Sequence, residues 1–318
     1  MRRSLLLALV VSLAAAAPAS GSAFLPPRGD VWHGVAGGYS PDSFARETGR
    51  RPDVFQLFAE WGNVDWTFAR ADASGARMMV HLSTNRGPGT RERITPAQIA
   101  SGRGDAFLVR FGERIAARGR PFYLRLFAEM NGPWNAYCAF DANGRPRPGH
   151  STRQFRRAWR RIALVLRGGA RRTVDAKLGR LRMPAVTAGE GPLAKAPVAL
   201  MWVPHNATAL NTRANQPRAY WPGSRYVDWV GTDFYGQNPN WGALERIYRD
   251  FPGKPFVFGE WALWGRDDPA FVKRIFAFAR THRRVRMLVY NQGVREDGPF
   301  RLKRYPQARR ALRALLAR

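Results

Sequence analysis

The sequence predicts an α/β protein built as a single (β/α)8 TIM barrel. Three observations carry that prediction. Eight short apolar runs recur along the chain, each followed by a polar turn. Most are apolar nearly throughout, as expected of strands covered on both faces in a parallel sheet. Amphipathic stretches separate them, and alternating strands and helices call for a sheet wrapped by helices. The 318 residues, less a short leader, suit one barrel of ~250 residues with insertions. A doubly wound open sheet is the alternative, and no GxGxxG follows the first strand to support it.

The candidate strands are Val31–Gly37, Val54–Trp61, Arg77–Leu82, Phe122–Ala128, Val198–Val203, Val227–Phe234, Phe256–Gly259 and Val285–Tyr290. Asp105 is placed to cap a helix whose Phe107, Leu108, Phe111 and Ile115 share a face and which ends before Gly119. Ser151 and Gln154 have the spacing of a capping box, ahead of an apolar stripe of Phe155, Trp159, Ile162 and Leu166. Asp268-Pro269 opens a helix carrying Phe271, Ile275 and Phe278, and Pro306 to Leu316 closes the chain. The stretch Gly168 to Ala196 is rich in Gly, Pro and Arg and reads as an insertion before strand five.

Met1-Arg2-Arg3 and the apolar run Ser4 to Ala17 have the form of a secretory leader, with cleavage after Ala19 or Ala23. A leader over residues 1–23, a catalytic domain over 24–318 and a secreted, extracellular protein are therefore expected, with an uncleaved anchor as the alternative. No later segment reads as a membrane span.

The single cysteine, Cys138, excludes an intrachain disulfide and reads as buried and inert. The five histidines lack ligand spacing, so neither a metal nor another cofactor is expected. Five of the 52 basic residues are lysine and the rest arginine, giving a net charge of +29. The arginines are spread along the chain, denser at Arg153–Arg161, Arg280–Arg286 and Arg301–Arg318. A nucleic-acid binder concentrates its charge on one face or tail, so no nucleic-acid partner is expected. Weak association with anionic cell-surface polymers fits the charge better, and a monomer is expected.

Two glutamates mark the chemistry. Strand four runs FYLRLFAEMNG and strand seven PFVFGEWALW, and Glu129 and Glu260 stand where the apolar runs stop. Period-two alternation places Glu129 on the face of Arg125 and Glu260 on that of Phe258. Projected from the C-terminal rim of a barrel, the pair is what glycoside hydrolysis requires: one carboxyl protonated as acid, one ionised. Either glutamate alone reads more simply as a helix cap or an arginine partner. Tyr235, at the end of YVDWVGTDFYG, can donate its hydroxyl to an ionised carboxylate, or be an interior aromatic. Trp61, Trp134, Trp261 and Trp264 sit at strand ends and offer indole faces for sugar rings, whereas Trp159 and Trp229 read as core. Asn206, after strand five, is a further candidate substrate contact.

The strings YLRLFAEMNGPW, AYWPGSRYVDWVGTDFYG and FVFGEWALW, in that order, resemble glycoside hydrolase family 26, the β-mannanases. The resemblance covers roughly Trp32 to Gln292 and implies a (β/α)8 retaining glycosidase. It makes Glu129 the general acid/base, Glu260 the nucleophile and Tyr235 its hydrogen-bond partner. Arg125 then lies beneath the acid, and Trp134 is an aromatic platform. Where the family has a histidine before the acid, this chain has Ala128, which opens space and bears on the substrate. The expected partner is a β-linked polysaccharide, β-1,4-mannan first. Mixed-linkage glucan, xylan, an acidic exopolysaccharide and a non-catalytic glycan-binding barrel are the alternatives.

Overall fold

The computed structural model describes residues 22–37, 41–87, 91–207 and 210–317. The expected leader lies outside the described residues up to position 21. Strands β1 (Trp32–Ala36), β2 (Val54–Glu60), β3 (Arg77–Ser83), β4 (Phe122–Leu126), β5 (Val198–Trp202), β6 (Trp229–Tyr235), β7 (Phe256–Ala262) and β8 (Val285–Asn291) form a closed barrel in chain order. Every pairing is parallel, and β8 returns to β1 in register from Trp32↔Met287 to Ala36↔Asn291.

Around it run α1 (Pro41–Thr48), α2 (Asp65–Ser74), α3 (Pro96–Ala100), α4 (Asp105–Arg118), α5 (Thr152–Arg167), α6 (Arg171–Arg180), α7 (Trp241–Asp250), α8 (Pro269–Thr281) and α9 (Pro306–Leu316). The strands bury both faces, as their composition requires. One set of side chains, including Trp32, Met79, Tyr123, Met201, Trp229 and Met287, fills the interior. The other packs against the helices through Phe68, Phe111, Phe122, Trp159, Phe256 and Ile275. No helix among the described residues is long and apolar enough to cross a membrane.

Local readings differ from the structure in four places. Asp105 does not cap α4, whose N-cap is Gly104; its carboxylate instead takes two bonds from the fully buried Arg161, Nε at 2.7 Å and Nη2 at 2.5 Å. Ser151 Oγ does accept from Gln154 N, but the reciprocal box forms at Thr95 and Gln98, at the start of α3. The Gly168–Ala196 stretch, read only as an insertion, contains a helix that its Gly, Pro and Arg content did not predict: α6 lies in it and buries Val174 and Leu178.

The fourth difference orients the site. Phe258 faces the helices, so simple alternation would not place Glu260 with it on the inner face. Along β6 and β7, Thr232 pairs Phe258 while Asp233 pairs Glu260, leaving Gly259 as an extra residue. That bulge turns the carboxylate inward. On β4 the strand ends at Leu126, and Phe127 and Glu129 take positive φ angles of 46° and 52°. Such angles strain a side-chain-bearing residue, and the surrounding structure must hold them.

Candidate active site

Both glutamates lie at the C-terminal end of parallel strands, hence at one mouth of the barrel. Glu260 is held as an acceptor on both oxygens. Tyr235 Oη donates to Oε2 at 2.5 Å and Asn291 Nδ2 to the same atom at 2.7 Å. Arg125 Nη1 donates to Oε1, which Gln56 Nε2 reaches at 3.4 Å. These donors come from β6, β8, β4 and β2, so the barrel itself fixes the carboxylate.

Arg125 is fully buried and also donates to Asp233 on β6. Burial works against its charge, but Asp233 and Glu260 outweigh burial and raise it above the ordinary arginine value. Burial pushes the Asp233 carboxyl well up from its usual range, with Arg125 pulling the other way. Glu260 and Glu129 add to the upward push on Asp233, so three carboxyl groups share one guanidinium. Burial, followed by the charge of Glu260, also raises Tyr235 well above a free tyrosine, keeping its hydroxyl a donor.

His81 on β3 completes the inner network. Burial, and after it the charge of Arg125, lowers its pKa well below 6.5, so the ring is neutral. Its Nδ1 then accepts from Arg125 Nη1 at 3.3 Å, and Nε2–H faces Tyr137 Oη at 3.4 Å. Tyr137 in turn donates to the carbonyl of Ala128 at 2.6 Å.

Glu129 is set differently. Trp134 Nε1 donates to its Oε2 at 2.8 Å, and its side chain keeps 19% of its surface exposed. The indole lies over Gly132, where any Cβ would come within 2.4 Å of the ring. Arg147 pins this loop by donating to the carbonyls of Pro133, Asn135 and Ala136. Arg171 and Arg284 likewise bind main-chain carbonyls, so part of the arginine excess is structural.

The aromatic candidates separate by exposure. Trp134 and Trp264 are the open ones, at 45% and 36%. Trp264 packs edge-on to Tyr235 and Phe300. Trp61 and Trp261 are corrections: Trp61 lies against Phe107 and Phe127, Trp261 against Tyr290 and Phe276, and both are buried without a free face for a sugar. Asn206 lines a hollow with Asn211, Gln216 and Asn240, apart from the carboxylates. Ala128 is fully buried in the barrel interior, so the missing imidazole leaves no opening to solvent. Cys138 is buried as expected, beside Tyr220 and Asn215.

Sequence reasoning missed Gln56, His81, Asn291 and the pairing role of Asp233. Each is a polar residue inside an otherwise apolar strand, which was the available signal. Among the described residues no group of three or more His, Cys, Asp or Glu is placed to hold a metal.

No family model matches the chain. Over 186 residues it is 25% identical to a β-1,3-xylanase of Alcaligenes sp., an alignment covering 56% of this chain and 32% of the xylanase. The chain thus matches about a third of the length of that curated relative. Similar solved structures include an endo-β-1,4-mannanase of Cellulomonas fimi, 17% identical with a TM-score of 0.56, covering 89% of this chain and 71% of that one. A mannanase of Bacillus subtilis is 16% identical with a TM-score of 0.54, covering 91% and 85%. A family 26 β-mannanase of Bacteroides ovatus is 15% identical with a TM-score of 0.55, covering 93% and 90%. These likenesses establish the fold: a (β/α)8 barrel of the kind found in glycoside hydrolase family 26.

Proposed function

We propose that the protein is a secreted retaining glycoside hydrolase that cleaves a β-linked polysaccharide, of the β-1,4-mannan type, by double displacement. The observation that carries this reading is the contrast between the two glutamates. Glu260 takes hydrogen bonds on both oxygens from Tyr235, Asn291, Arg125 and Gln56, which leaves it an oriented nucleophile. Glu129 takes a hydrogen bond from Trp134, lies in contact with the Asp233 carboxyl and keeps an accessible side chain, which suits a group that gives up and regains a proton.

In the first step Glu129 transfers its proton to the glycosidic oxygen while Glu260 attacks the anomeric carbon. The C–O bond to the leaving sugar breaks, and a glycosyl ester forms on Glu260. In the second step Glu129 takes a proton from water, which attacks the anomeric carbon and frees Glu260. Tyr235 and Asn291 accompany the nucleophile through both steps, and Trp134 offers a platform for a neighbouring sugar.

A neutral hexosan suits the site better than an acidic glycan. Arginines that would attract a uronic acid are occupied elsewhere: Arg147, Arg171 and Arg284 donate to main-chain carbonyls, and Arg125 is buried against Asp233 and Glu260. The test is reducing-end release from mannan, glucomannan, mixed-linkage glucan, xylan and an anionic bacterial polysaccharide. Wild type should act on a neutral β-glycan, and Glu129→Ala and Glu260→Ala should each lose several orders of magnitude. Activity confined to uronic-acid glycans and abolished by salt would replace this reading with the acidic one. Full activity in either variant would remove the role assigned to that glutamate.

A further inference from the structure

The carboxyl of Glu129 has a second neighbour that neither the strand pattern nor the resemblance assigns. His205 follows β5, and its Nε2 lies 3.9 Å from Glu129 Oε1, whereas Trp134 donates to Oε2. The ring stands edge-on to the Trp134 indole, with centroids 5.4 Å apart and planes at 84°. Its tautomer is set by the backbone: Ala207 N donates to Nδ1 at 3.2 Å, so in the neutral ring the hydrogen is on Nε2, facing the carboxyl.

The main chain of His205 is held as tightly as its ring. Asn131, two residues after Glu129, accepts from His205 N and donates to His205 O, each at 2.9 Å. The same residue pairs with Asp233 in an isolated parallel bridge, so His205 extends β5 at the level of the catalytic cluster. Asn131 is itself buried, and Asn215 Nδ2 binds its carbonyl at 2.8 Å. The strand-four and strand-five loops are therefore locked together with imidazole and carboxyl facing each other.

We propose that His205 is the positioning residue of Glu129, supplying from the fifth strand the imidazole that Ala128 does not supply from the fourth. The proposal rests on the reading of Glu129 as acid/base. Trp134 occupies Oε2 with an N–H, so the catalytic proton belongs on Oε1, the oxygen nearest His205. When that proton leaves for the glycosidic oxygen, Oε1 becomes anionic and the Nε2–H of His205 stabilises it. The attraction grows along the reaction coordinate, which is what assists a transition state. Besides Glu129, the charged groups of this corner are Asp233, bridged to His205 through the backbone, and Arg125, which pairs with Asp233.

The test has two arms. Long-range proton–nitrogen NMR of the full labelled chain, with His205→Gln to assign the signal, reads the ring directly. His205 should show the Nε2–H tautomer, and Glu129→Gln should move the chemical shift of its Nε2, the nitrogen 3.9 Å from the carboxyl. An Nδ1–H tautomer, or an Nε2 signal that Glu129→Gln leaves unmoved, overturns the proposal. In the kinetic arm, His205→Ala should lower kcat roughly tenfold with KM little changed, less than the loss of a well-aligned donor. It should also move the alkaline limb of kcat/KM upward, since the lost donor favoured the ionised acid. His205→Gln should restore most of kcat. A rise in KM alone would make His205 a sugar contact and overturn its positioning role. The NMR arm does not need turnover: a wild type inactive on every glycan would end the proposed function while the contact between ring and carboxyl stood.

Discussion

Gly259→Ala is the sharpest perturbation of the proposed nucleophile that substitutes none of the candidate catalytic residues. Gly259 is the extra residue of the β7 bulge, next to Glu260, and its missing side chain is occupied space. A Cβ built there would meet Arg125 Nε at 2.7 Å, Val203 Cγ1 at 2.9 Å and Asp233 Oδ1 at 3.0 Å. Contacts of this kind relax only near 3.4 Å or more, so Arg125 would have to withdraw by several tenths of an ångström. It cannot do so freely, because its guanidinium is fully buried and bonded to both Asp233 and Glu260. Overpacking a filled core costs about 1–3 kcal/mol. Displacing a reacting group by about 1 Å costs ~10²-fold in rate, and a shift of half that should cost about tenfold or more. Denaturant melts and kcat on the substrate found by the panel read the two effects separately. A Gly259→Ala variant within twofold of wild-type kcat and unchanged in stability would refute the argument that the bulge and Arg125 together aim Glu260.

Three further outcomes follow from the geometry. Ala128→His should lose about 1–3 kcal/mol of stability and gain no activity, because the site is packed inside the barrel rather than open; a stable, faster variant in melts and kinetics would contradict this. Stability should fall as pH drops below 6.5, since burial lowers His81 well below that value and His33 to about 3, leaving both neutral in the fold but protonated when unfolded. Each such histidine costs about 1.4 kcal/mol at pH 5.5, less for the half-buried His33, and urea titrations of wild type and His81→Asn should differ by that amount. Tyr235→Phe should lower kcat more than it raises KM, because it removes the 2.5 Å hydrogen bond to Glu260 without emptying the site; unchanged kcat would show that Asn291 suffices.

The barrel was readable because its strands are buried on both faces, and double burial writes an apolar run whatever the neighbours are. The helices that could be named were those with strong local signals, such as Asp268 ahead of Pro269 and Gly119 at the end of α4. Asp105 misled because an aspartate at a helix start serves equally as a distant partner, and Arg161 is 56 residues away. Both glutamates were legible from position alone, but not how they face inward. Glu260 depends on a bulge that sequence alternation cannot anticipate, and Glu129 on a positive-φ turn. Trp61 and Trp261 show the limit of composition: a tryptophan at a strand end can point to sugar or to Phe107 and Tyr290, and only packing decides. His205 was invisible because its meaning lies in a loop-to-loop clamp through Asn131.

The stereochemistry of the first product bears most directly on the role proposed for Glu260. Proton NMR of the hydrolysis of a short β-linked oligosaccharide, followed within seconds to minutes of mixing, distinguishes the anomers before they equilibrate. Two successive displacements at the anomeric carbon, with Glu260 as the first nucleophile, predict that the β-anomer appears first and that Glu260→Ala yields no product. Initial appearance of the α-anomer would mean that water attacks directly, and would contradict the role given to Glu260.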